Sequence, residues 1–74
     1  MVKVKVSNNV DRAEVIVAPE TTIEEVFAQA GIAMGSAIPY LNGVPVNGQT
    51  HRALKEFDIG DVVTLMAVVN KDNN

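Results

Sequence analysis

Val2, Val4 and Val6 alternate with Lys3 and Lys5, a period of two that builds a strand with one apolar face and one wet face. Ser7, Asn8 and Asn9 are turn formers, and Ala13 to Val17 alternates again, so the two segments are expected to pair as a hairpin. Pro19 cannot donate to a ladder and ends the second strand. Thr21 and Thr22 each precede a glutamate by three residues, Glu24 and Glu25, and either pair suits a capping box at a helix start. Ile23, Val26, Phe27 and Ala30 then fall at i, i+3, i+4 and i+7, one stripe of a helix over 23–30. Gly31 supplies its stop. A helix this short is marginal alone and needs a sheet to lie on.

Residues 32–37 are small and include Gly35, which suits an irregular connection over one end of the sheet. Ile38 to Leu41 reads as a short strand, and Asn42-Gly43 after it is a strong hairpin signal because both residues accept the positive φ of a type I′ turn. Val44 and Val46 follow as a minor strand that Pro45 confines to an edge, and Asn47-Gly48 closes it. Gly43, Gly48 and Gly60 are read as positive-φ turn residues, and the three prolines as markers of strand ends. Leu54, Phe57 and Ile59 lack a clear period and predict a single helical turn that plugs the core. Val62 to Val69 holds seven apolar residues in eight. Such a segment would be an aggregation hazard on an edge, so it is expected at the centre of the sheet. From Asn70 the chain is polar and a frayed tail is expected.

Composition narrows the function classes. Seventy-four residues make one domain, and a chain of this size buries only about 60% of its unfolded surface. With no cysteine there is no disulfide framework, thiolate metal site or cysteine nucleophile. A formal charge of -3 argues against a nucleic-acid binder, which needs a basic face to neutralise phosphates. It argues equally against an anionic membrane surface. No charged leader with an apolar stretch behind it opens the sequence, so the expectation is a soluble, cytoplasmic protein.

The order strand, strand, helix, strand, minor strand, helical turn, strand resembles the ubiquitin-like β-grasp superfamily over essentially the whole chain. Pro19 with Thr22-Ile23-Glu24 looks like ubiquitin's approach to its helix, and Leu54, Phe57 and Ile59 resemble the plug before its last strand. Leu41-Asn42-Gly43-Val44-Pro45-Val46, with Gly60-Asp61-Val62-Val63, is closer to the sulfur-carrier proteins of thiamine and molybdopterin synthesis. The resemblance implies an α+β fold, a mixed four- to five-stranded sheet packed on one short helix, over residues 1–70, with 71–74 as a polar tail. In the sulfur carriers an activating enzyme adenylates a terminal glycine, whose carboxylate becomes a thiocarboxylate. Here Asn70, Lys71, Asp72, Asn73 and Asn74 stand where that glycine end would be, and the chain has no Gly-Gly pair.

If the last strand follows this fold, Val63, Leu65, Ala67 and Val69 point to the helix, and Thr64, Met66 and Val68 to the other face. Tyr40 is expected to project with them. By the resemblance, Tyr40, Met66 and Val68 fall where ubiquitin carries its apolar recognition patch, with Lys3 and Lys5 bordering it. Single exposed apolar residues are ordinary on any surface; three on one sheet face suggest an interaction site, with an adaptable Met and a Tyr anchor. His51 is the only histidine and is expected in an exposed loop without metal partners. Glu24/Glu25 suit helix-start electrostatics and Asp58/Asp61 flank a turn, so neither pair reads as catalytic. Gly31, Gly35 and Ser36 fail as a phosphate loop, since no lysine is adjacent and a strand follows. No catalytic, cofactor-binding or metal residue is expected. The leading expectation is a non-catalytic module that binds another protein through its outer sheet face. The alternatives are a sulfur carrier or a degenerate paralogue that docks to an activating enzyme, and self-association through the Val44 to Val46 edge or the apolar face.

Overall fold

The computed structural model describes residues 1–69. Strands β1 (Val2–Ser7) and β2 (Arg12–Val17) form the first hairpin, followed by α1 (Ile23–Ala30), β3 (Ile38–Leu41), β4 (Val44–Pro45), a 3-10 turn (Leu54–Glu56) and β5 (Val62–Val68). One five-stranded sheet runs in the order β2-β1-β5-β3-β4. The β1–β5 pairing is parallel and the others are antiparallel, so the sheet is mixed. The fold is therefore α+β, one mixed sheet and one helix, an arrangement compatible with a β-grasp. The strand expected at the centre is there, paired to β1 on one side and β3 on the other.

The alternation in the sequence becomes the division between core and surface. Val2, Val4 and Val6 of β1 and Val63, Leu65 and Ala67 of β5 are buried, and Ile23, Val26 and Phe27 of α1 lie against them. Leu54 of the 3-10 turn is fully buried, with Phe57 and Ile59 partly buried around the same core. Thr22 is the residue that caps α1. Its Oγ1 accepts from the Glu25 N–H at 3.2 Å, and the Glu25 Oε1 accepts from the Thr22 N–H at 2.9 Å. Thr21 is used otherwise: its carbonyl accepts from the Leu54 N–H at 2.9 Å and ties the helix start to the plug. Gly31 ends the helix at φ 71°, in the left-handed region glycine reaches without a Cβ clash.

Four expectations need correction. Val69 is 40% exposed and not core, because the last β3–β5 pair is Ile38 with Val68, and residue 69 has left the ladder. The minor strand stops at Pro45. Val46 turns inward to 2% exposure, and its N–H donates to the Pro39 carbonyl at 2.9 Å. Pro39 does not mark a strand end, since it sits inside β3 opposite Ala67. Because its carbonyl faces β4, its missing N–H faces that side too, and the β3–β5 ladder loses no donor. Gly60 lacks the positive φ expected of it, which Gly43 and Gly48 do show. The polar tail expected from Asn70 lies outside the described residues.

Candidate functional site

The outer face of the sheet, opposite the helix, can be laid out row by row from the register. Val68 stands opposite Ile38. In the next row Pro45, Tyr40, Met66, Ser7 and Arg12 run across the sheet from β4 to β2. A third row holds Thr64, Lys5 and Glu14, and a fourth holds Val62, Lys3 and Ile16. The face thus has an apolar end on β3 and β5, a charged band across its middle, and a second, smaller apolar spot at Val62 and Ile16.

Tyr40, Met66 and Val68 come together in the first two rows. Directly opposed antiparallel residues hold their Cβ atoms about 5 Å apart, close enough for the Tyr40 ring to lie along the Met66 thioether. Met66 is 44% exposed and Val68 37%, whereas Leu65 before Met66 and Ala67 between the two are buried. Tyr40 and Ile38 are half-buried. Lys5 sits one row from Met66 and borders the cluster. Lys3 does not, because the parallel register sets it level with Val62, two rows away. Ser7 is the β1 residue beside Met66. The sequence reading missed Ile38 and Pro45, which extend the patch to either side of Tyr40; the signal for Ile38 was its spacing of two from Tyr40 on one strand.

The corner where this patch is entered is fixed by Asn42. With Asn42 at φ 51° and Gly43 at φ 85°, the β3–β4 turn takes the form predicted for Asn-Gly. The Asn42 N–H donates to the Thr64 carbonyl at 2.8 Å, and the Asn42 Oδ1 accepts from the Thr64 N–H at 2.9 Å. The side chain stands in for the backbone carbonyl that the turn has carried away, and the β3–β5 ladder is extended by one pair. An open depression of about 690 Å³ lies beside the patch, lined by Lys5, Ser7, Val10, Arg12, Glu14 and Met66 among others.

Chemically this face supplies area and orientation. Among the described residues no polar or charged side chain is buried, and no group of three or more His, Cys, Asp or Glu is gathered. His51 is exposed in the turn before Leu54. The one ion pair among the described residues, Arg52 with Glu56 at 3.5 Å, lies away from the face and is half exposed at both ends. No described helix is long and apolar enough to cross a membrane. No family model, no curated protein and no solved structure matches the chain.

Proposed function

We propose that the chain is a ubiquitin-like β-grasp module, nearest to the sulfur carriers, that acts without catalysis by binding another protein through its outer sheet face. The observation that carries this reading is the placement of Met66 directly opposite Tyr40, with Val68 opposite Ile38 in the adjoining row, on a solvent-facing surface. The element order and the mixed five-stranded sheet with its single helix support the β-grasp assignment. In this reading Tyr40 is the anchor, since a rigid amphipathic ring buries area at little entropic cost and its hydroxyl meets a polar group at the rim. Met66 adapts to the partner's contour, and Lys5 orients the encounter more than it tightens it.

The test is capture with the intact chain and with a Met66→Lys, Val68→Lys variant. Both positions are exposed, so the variant is expected to fold while burying two charges in the contact. The loss expected for a pair at the centre of an interface is at least about 2 kcal/mol, roughly thirtyfold in Kd. A partner that binds both chains equally overturns the assignment of the face, and a covalent adduct on the recovered bait overturns the non-catalytic reading.

A further inference from the structure

The outer edge of β2 carries two opposite charges two residues apart, Arg12 and Glu14. β2 ends the sheet order, so among the described residues one side of it has no strand neighbour. Which backbone groups face that side follows from the ladders. The Lys3 N–H donates to the Asp61 carbonyl at 3.0 Å, so Lys3, Lys5 and Ser7 turn their backbone groups to β5, and Val2, Val4 and Val6 turn theirs to β2. Their partners Val17, Val15 and Ala13 are then the hydrogen-bonded positions of β2. The Asn8 N–H to Asp11 carbonyl bond, at 2.9 Å, continues the same phase into the turn. Arg12, Glu14 and Ile16 are left with N–H and C=O groups directed outward from the edge.

A second copy brought up antiparallel must set outward groups against outward groups, which restricts the register to a few choices. One sets Arg12 against Arg12 and another sets Glu14 against Glu14; like charges directly opposed disfavour both. A third sets Glu14 against Ile16 and a fourth sets Ile16 against Ile16; within β2 neither gives Arg12 or Glu14 a partner of opposite charge. The remaining one sets Arg12 against Glu14 of the second copy and Glu14 against its Arg12. It also places Ala13 on the two-fold axis as a non-hydrogen-bonded pair, where strands approach most closely and a small side chain fits. Read across the edge, Arg12, Ala13 and Glu14 form a positive, small, negative series that meets its complement when reversed. Alternating charges of opposite sign do not guard an edge as a row of lysines would.

We infer that two copies of this chain associate through β2 in that register, joining two sheets into one of ten strands with a two-fold axis normal to the sheet at Ala13. The helices fall on one face of the joined sheet, and the Tyr40–Met66 patches fall together on the other. The contact is small and the association is accordingly weak, so a bivalent partner would gain more from it than the free chain does.

The experiment is sedimentation equilibrium from ~10 µM to ~1 mM, a range that spans weak dissociation constants. It is run on the intact chain, on Arg12→Glu, on Glu14→Arg, and on the two combined. Each single reversal sets like charges opposed twice and is expected to weaken association at least about tenfold; the combined reversal restores the opposed signs and is expected to return to within about threefold. Lys5 of β1 stands opposite position 14 of β2, so folding of every variant is followed by amide exchange, and the chains are compared in their folded fraction. Independently, Ala13→Cys gives the chain its only thiol, and mild oxidation is expected to yield a disulfide-linked dimer, since the paired Cα atoms stand about 4.5 Å apart, within disulfide reach. A monomer at every concentration overturns the inference. So does a dimer indifferent to both reversals, a combined reversal that does not restore it, or an Ala13→Cys chain that stays uncross-linked.

Discussion

Asn42 offers a test in which backbone and side-chain contributions separate. At φ 51° it occupies the left-handed region, and its Oδ1 accepts from the Thr64 N–H of the central strand at 2.9 Å. Asn42→Ala loses both. A residue with a Cβ pays roughly 1–2 kcal/mol for that conformation, less what Asn already paid. The hydrogen bond adds about 1 kcal/mol, since its donor is exposed and water replaces the lost acceptor in part. The expected cost is about 2 kcal/mol. Asn42→Gly removes the side-chain bond but relieves the backbone, and about 1 kcal/mol is expected. Asn42→Asp retains an acceptor and tolerates the conformation, so it should stay within about 0.5 kcal/mol of the parent chain. Urea unfolding followed by circular dichroism reads the difference. With a slope near 1 kcal/mol/M for so small a domain, the midpoints should fall by about 2 M for Ala and about 1 M for Gly. Equal losses for Ala and Gly would refute the backbone part of the reasoning. An Asp variant as unstable as Ala would refute the role given to the Oδ1.

Two further substitutions separate the faces of β5 and the cap of α1. Leu65→Ala, at a fully buried position, is expected to cost about 2–5 kcal/mol, while Met66→Ala next to it stays within about 0.5 kcal/mol; thermal unfolding of the pair checks both, and similar losses would contradict the facing of the strand. Thr22→Ala removes the capping hydroxyl and should cost about 1 kcal/mol, whereas Thr21→Ala, whose contribution is a backbone carbonyl, should be close to neutral. Equal effects in urea unfolding would contradict the assignment of the cap.

The helix was legible to the residue because three local signals agree on it: the stripe from Ile23 to Ala30, a Thr–Glu spacing at its start and Gly31 at its end. The choice of Thr22 over Thr21 was not, since it depends on the Leu54 N–H reaching back across the fold to the Thr21 carbonyl. Pro39 was misread for a similar reason. A proline rule counts the missing donor without knowing which side of the strand it faces, and in β3 it faces away from the central strand. The patch was legible as far as period two carries, which places Thr64, Met66 and Val68 together. It failed at Lys3, because the stagger between β1 and β5 is a non-local parallel register that no local pattern sets. The β2 edge lay beyond local reading altogether, since the direction of its free groups follows only from the phase of the β1–β5 ladder.

In the proposed function the outer face, and not an edge, engages a partner. Capture from the source lysate with four baits tests it most directly: the intact chain, Met66→Lys with Val68→Lys, Glu14→Arg at the β2 edge, and a Val44→Lys variant at β4. One protein is expected to be retained by the intact chain and by both edge variants and lost from the outer-face variant, with every bait recovered at unchanged mass. Retention by the outer-face variant together with loss from an edge variant would contradict it and move the binding surface to that edge.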